Sequence, residues 1–106
     1  AGNVTAYSDI KLKENIVNID NALDKICSMR GIYYNMIEDT TKSRRIGLVA
    51  QEVEKVLPEV VIEANPEDDK ENILSVDYGN IVALLIEGMK EQQKQIDELK
   101  EKLESK

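Results

Sequence analysis

The sequence predicts an α+β fold, and three features of its 106 residues carry that reading. Apolar residues recur at helical spacing in two short stretches. Brief runs of β-formers precede one polar loop and flank another. A heptad pattern occupies the C-terminal quarter. Together they describe a small, mostly helical domain with short β-hairpins, ending in a long helix built for a coiled coil.

Residues 8–17 mix charge with Ile10, Leu12, Ile16 and Val17, which suits a short strand or an extended arm. Residues 18–29 read as a helix, because Ile19, Ala22, Leu23 and Ile26 share one face. Asn18 or Asp20 is the expected N-cap and Gly31 the expected stop. The run from Ile32 to Ile37 is rich in β-formers and reads as a strand. Glu38 to Arg45 forms a polar turn. Residues 46–57 are expected to be helical, with Ile46, Val49, Ala50, Val53 and Leu57 as the stripe and Pro58 ending it. Val60-Val61-Ile62 and Ile73 to Val76 read as paired strands around the acidic loop Asn65–Asn72.

A long helix starts beyond Asp77, its expected cap. Gly79 and Gly88 weaken it locally, although Gly88 allows close helix approach. Val82, Leu85, Met89, Gln92, Ile96, Leu99 and Leu103 alternate at spacings of three and four. This is an a/d seam of period 3.5, the signature of a left-handed coiled coil, with Gln92 as a polar layer. The alternative is an amphipathic helix packed on its own domain. Residues 89–106 would extend about 27 Å at 1.5 Å per residue. No upstream helix of that length is available to cover the stripe, which favours other copies of the chain.

Composition narrows the function. The net charge of −7 makes nucleic acid and acidic membrane surfaces poor partners. No apolar run is long enough to span a bilayer. The first residues lack the pattern of a signal peptide and read as a linker left from a longer polypeptide. With no Phe or Trp and only four Tyr, a lone protomer has a thin core, which also favours an oligomer. The single cysteine, Cys27, has no partner for an internal disulfide and reads as a small core residue. Glu67-Asp68-Asp69 lacks the ligand alternation of a calcium loop and reads as a solvated tip. There is no GxxxxGK phosphate loop, and neither a metal nor a cofactor is expected.

The absence of histidine excludes a Ser-His-Asp triad, a Cys-His dyad and an ordinary zinc site. Hydrolytic chemistry would need lysine or a carboxylate as base. Ser8, followed five residues later by Lys13, is the pair that fits. The competing reading is an arm serine beside a solvated lysine. Catalysis would require burial or cationic neighbours to lower the lysine's proton affinity, and Lys11 is a candidate neighbour. Residues five apart in an extended arm face opposite ways, so a dyad also needs a bend between them.

Three segments taken together resemble the C-terminal intramolecular chaperone domain of bacteriophage endosialidases, tail spikes, neck appendages and tail fibres. The first is Ser8-Asp9-Ile10-Lys11-Leu12-Lys13-Glu14-Asn15-Ile16. The second is Ile46-Gly47-Leu48-Val49-Ala50-Gln51-Glu52-Val53 with Leu57-Pro58-Glu59-Val60-Val61. The third is Val76-Asp77-Tyr78 opening the terminal helix. Gly47, Gln51, Glu52, Pro58, Asp77 and Tyr78 are the residues that mark the last two.

The resemblance implies a domain that trimerises and folds an upstream β-rich fibre or spike region of the same polypeptide, then releases itself by autoproteolysis. Carried over, Ser8 is the nucleophile, Lys13 the base and Tyr7–Ser8 the cleaved bond, with Asp9, Lys11 and Asn15 in support. Where the family commonly has arginine this chain has Lys11, which keeps the charge but loses the bidentate geometry. The resemblance also implies a homotrimer zipped through the heptads as a parallel coil. It divides the chain into an upstream remnant (1–7), a chaperone core with projecting hairpin loops (8–88) and a coiled-coil helix (89–106). It further implies action in the cytoplasm of the infected bacterium and absence from the finished particle after cleavage. The alternative function is a trimerisation cap that cuts nothing.

Overall fold

The computed structural model describes residues 7–105. Ala1 to Ala6 of the expected upstream remnant lie outside the described residues. In chain order the elements are a 3-10 turn at Ile10–Leu12, α1 (Ala22–Cys27), β1 (Ile32–Tyr34), β2 (Arg45–Gly47), α2 (Ala50–Val56), a second 3-10 turn at Pro58–Val60, β3 (Val61–Glu63), β4 (Leu74–Val76) and α3 (Tyr78–Glu104). The fold is α+β as expected, with two separate antiparallel hairpins and one long C-terminal helix.

The second predicted helix starts later than its apolar spacing suggests. Arg45–Gly47 is strand, with Ile32 opposite Gly47 and Tyr33 opposite Ile46. Ile46 points outward with Tyr33 and is 77% exposed. It therefore does not join the α2 stripe. A spacing of three or four on a single segment cannot reveal a cross-hairpin partner, and the partner decides here. The helix begins only at Ala50, and Pro58 stops it by opening the 3-10 turn that follows. β3 and β4 pair as expected, with Val61 opposite Val76 on the inner face and Ile62 opposite Ser75 on the outer.

The first helix is shorter than expected. Its N-cap is neither Asn18 nor Asp20 but Asn21, in the left-handed region at φ 49° and without a side-chain capping bond. Gly31 does not close it. The helix ends at Ser28, whose amide and hydroxyl both donate to the Asp24 carbonyl. Cys27 is exposed, not a core residue. It follows Ile26 by one position, which turns it about 100° away from the face that meets α3.

The core is small: Ala22, Val53, Leu57, Val60, Ile81 and Leu84 are buried, with Ile19, Ile26, Met29, Leu48, Val56, Val61 and Val76 packed around them. On α3 the buried positions Ile81, Leu84 and Gly88 follow helical spacing and face α1. A Cβ at Gly88 would overlap Ile26 Cδ1, so any larger residue there forces that side chain to move. The adjacent face carries the heptads. Val82, Leu85, Met89, Ile96, Leu99 and Leu103 are all 44–73% exposed. From Gln92 to Ser105 every residue is exposed.

Candidate functional site

The arm before α1 is not extended throughout. Asp9 Oδ1 accepts from the Lys11 amide at 2.9 Å, and the Leu12 and Lys13 amides close onto the carbonyls of Asp9 and Ile10. An aspartate at this position favours such a turn by offering its carboxylate to a backbone donor two residues on. The turn folds the segment back on itself. Lys13 Nζ donates to Ser8 Oγ at 3.4 Å, a long contact for N–H···O, and both residues are exposed. The bend that the sequence argument required is thus present. Asn15 follows at φ 54°, a region asparagine enters more readily than most side chains, and redirects the chain.

Lys11 does not stand free beside Lys13. Its Nζ pairs with Asp9 Oδ2 at 2.8 Å. The Lys11 side chain and amide together hold the Asp9 carboxyl below the usual carboxylate range. With its charge directed at Asp9, Lys11 is a weaker source of repulsion for a neighbouring ammonium than the sequence suggested. Tyr7, whose carbonyl forms the bond to Ser8, is 93% exposed.

The other signature residues gather elsewhere. Gly47 lies buried at the end of β2, with the Tyr78 hydroxyl above it. A Cβ at Gly47 would stand 2.8 Å from Tyr78 Oη and 3.2 Å from Tyr34 Cε1. The vacancy lets Tyr78 Oη accept from the Leu48 amide at 3.0 Å, tying the first turn of α3 to the strand that leads into α2. Asp77 occupies the N-cap position of α3 as expected, but its side chain makes no capping bond to the backbone. Its Oδ2 accepts from Asn80 Nδ2 at 2.9 Å, and its own amide donates to the Val60 carbonyl at 2.7 Å. Gln51 is exposed on α2. Glu52 forms a forked ion pair with Arg30, with N···O distances of 2.9–3.2 Å. That pair holds the Glu52 carboxyl below the ordinary glutamate range. Glu52 and Gly47 thus have structural roles in fastening α2 and α3 to the rest. Among the described residues, no hydrogen bond or ion pair joins this hub to the Ser8–Lys13 turn.

Two side-chain contacts escaped sequence reading. Glu91, on α3, accepts from the Ala22 amide at Oε1 (2.9 Å) and from the Leu23 amide at Oε2 (3.0 Å), and so caps α1 from nearly 70 residues away. The available signal was an isolated acidic residue one position before the polar seam residue Gln92. Arg44 stacks on the Tyr33 ring, 3.6 Å from its centroid, at the base of the first hairpin tip. Both hairpin tips are internally bonded. Asp39 accepts from Thr41 and Ser43 in one, and Asn72 accepts from the Asn65 amide in the other.

A short arm bearing a serine–lysine pair, a buried glycine under a tyrosine, and a terminal helix with an exposed heptad face fit a chaperone-type domain associated with a fibre. Comparison with known proteins agrees. The family model described as chaperone of endosialidase matches residues 8–62, more than half of the chain, and its match begins at Ser8. The chain belongs to that family. Long tail fiber protein Gp37 of Enterobacteria phage K3 and that of Enterobacteria phage T2 are each 41% identical to it over 107 residues. Those matches cover 97% of this chain but 8% of each relative. Long tail fiber protein Gp37 of Enterobacteria phage Ox2 is 34% identical over 98 residues, covering 88% of this chain and 38% of that protein. The chain therefore spans well under half the length of these relatives.

Proposed function

We propose that this domain is a self-cleaving intramolecular chaperone for an upstream fibre region of its own polypeptide. Three copies register through the α3 seam, the fibre folds, and the domain then severs itself at Tyr7–Ser8. The observation that carries the reading is the Ser8 Oγ to Lys13 Nζ contact of 3.4 Å, at the residue where the family match begins.

The chemistry proceeds by an N-to-O acyl shift. Ser8 Oγ attacks the Tyr7 carbonyl carbon while Lys13 Nζ takes the hydroxyl proton. The bond from that carbon to the Ser8 nitrogen breaks, and the nitrogen leaves as an amine after taking a proton from the lysine. Water then hydrolyses the ester, releasing the Tyr7 carboxylate and a chain that starts at Ser8. An amine that serves as base needs burial or a cationic neighbour, and Lys11 is already paired with Asp9, which leaves burial. Lys13 is exposed in one protomer, so the trimer has to supply the cover. This would link cutting to correct assembly.

The exposed seam supports the registering role. Fibre strands that pair between chains have high contact order, and holding three chains together at one end removes much of the search. Once the domain has left, the product is locked kinetically. In this reading residues 8–88 form the working body and 89–106 the coil, and the reaction takes place in the cytoplasm of the infected bacterium before the particle is finished.

The test is expression with about one hundred native upstream residues, followed by N-terminal sequencing of the products. Two fragments, one starting at Ser8, are expected. Ser8→Ala and Lys13→Ala should leave one intact chain in an intact trimer. Cutting at Tyr7–Ser8 in the Ser8→Ala protein would refute the nucleophile. A single uncut wild-type chain would leave the non-cleaving cap as the function.

A further inference from the structure

We propose that Glu91 is a positioning residue, which couples zippering of the α3 seam to the placement of the Ser8–Lys13 arm; the inference rests on the self-cleavage reading above. Residues 8–18 are all exposed, and the arm first packs against the core at Ile19. Within the arm the Asp9 turn and the Asn15 bend set its shape, and where that shaped arm sits on the body depends on its anchor at residues 19–23. Two features fix that anchor. Asn21 holds a left-handed bend at φ 49°, and both carboxylate oxygens of Glu91 bind the next two amides.

No side chain near α1 in sequence does this work. The Asn21 side chain makes no capping bond, so a residue of α3 supplies what a local N-cap ordinarily provides. Glu91 is half-buried, and its two bonds join a carboxylate to backbone donors, the stronger class of hydrogen bond.

Glu91 also stands where α3 changes partners. Ile81, Leu84 and Gly88 on its own face pack toward α1, and beyond it every residue is exposed. The seam positions Met89 and Gln92 flank it directly. Chains zipped through Met89 and Gln92 hold this turn of α3 helical and hold the Glu91 carboxylate against Ala22 and Leu23. In the single protomer the helix runs to Glu104 with this anchor formed, but its exposed end has only its own marginal helical stability, and the anchor loosens whenever that end frays. Glu91 thus reports assembly to the arm without touching the reacting atoms.

The test uses the chain extended upstream, as wild type, Glu91→Gln and Glu91→Ala. Three readouts are followed: appearance of the Ser8 N-terminus, trimer content by sedimentation, and amide exchange of residues 8–23. Glu91→Ala is expected to remain trimeric, to cut at least tenfold more slowly and to exchange the Ala22 and Leu23 amides faster. Glu91→Gln, which keeps one neutral acceptor, should fall between it and the wild type. A trimeric Glu91→Ala protein that cuts at the wild-type rate overturns the inference. If Glu91→Ala fails to assemble, trimeric Glu91→Gln decides: slower cutting supports the coupling and unchanged cutting overturns it. Should the wild type itself stay whole, the self-cleavage reading fails separately. Exchange then decides the anchor, with faster exchange in the variants sustaining it and unchanged exchange refuting it.

Discussion

Leu84 and Leu85 are neighbours on α3, and truncating them to alanine should have opposite consequences. Leu84 is fully buried and touches the core around Ala22 and Val53. Its loss removes transfer free energy and leaves a cavity, which costs about 3–5 kcal/mol. A domain this size has roughly 5–15 kcal/mol in total. Leu84→Ala should therefore lower the unfolding midpoint by roughly 12–40 °C, at about 4–8 °C per kcal/mol, at every protein concentration. Leu85 is 49% exposed in the protomer, so its truncation should cost protomer stability only about 1 kcal/mol. In a three-stranded seam the remaining half of each leucine is worth about 1 kcal/mol. Three copies give roughly 3 kcal/mol, on the order of a hundredfold in the association constant. Thermal melts over a hundredfold concentration range, with sedimentation in parallel, separate the two effects. Equal loss of protomer stability in the two variants, or a Leu85→Ala protein that associates as tightly as wild type, would refute the division of α3 into a core face and a seam face.

Two further outcomes follow from the hub. Gly47→Ala should displace Tyr78 and cost about 1–3 kcal/mol through overpacking, whereas Tyr78→Phe should cost only about 1 kcal/mol for the lost Leu48 bond; a melt in which the two substitutions are equally harmless would contradict the packing described. The Arg30–Glu52 pair should make stability pH-dependent at the acid end. Glu52 has a native value lowered by the Arg30 guanidinium, so the pair's contribution is complete above the ordinary glutamate range, about pH 4.3. It is lost as pH falls through the lowered native value. Arg30→Met should flatten that limb of the pH–stability curve, and an unchanged limb would assign the effect to other groups.

Much of this architecture is readable from local pattern. The heptad residues were legible as a set distinct from the core face of α3, because they repeat every 3.5 residues over six spacings, and in the protomer those side chains are exposed. The second hairpin was legible from short β-former runs around a polar tip; of the first, the leading strand and the polar tip were legible but the return strand Arg45–Gly47 was not. What failed was decided by partners distant in sequence. Ile46 fits the α2 stripe by spacing, yet its cross-strand pairing with Tyr33 places it outside. The N-terminus of α1 lies beyond Asn18 and Asp20 because its first amides are taken by Glu91, a residue no local motif can indicate. Asp77 sits where an N-cap belongs, but Asn80 takes its carboxylate. In the candidate site, the need for a bend between Ser8 and Lys13 was legible, and Asp9 provides it. The pairing of Lys11 with Asp9 was not, because side-chain choice within a turn depends on geometry that residue types alone do not fix.

The central claim is that zipping of three tails prepares the serine–amine pair for its single reaction. The most direct measurement separates the upstream-extended chain by size soon after synthesis and sequences the N-termini in each fraction. The account predicts new chains starting at Ser8 arising from trimeric material, and none from monomers kept apart by Leu85→Ala combined with Met89→Ala. Equal cutting in isolated monomers would contradict it.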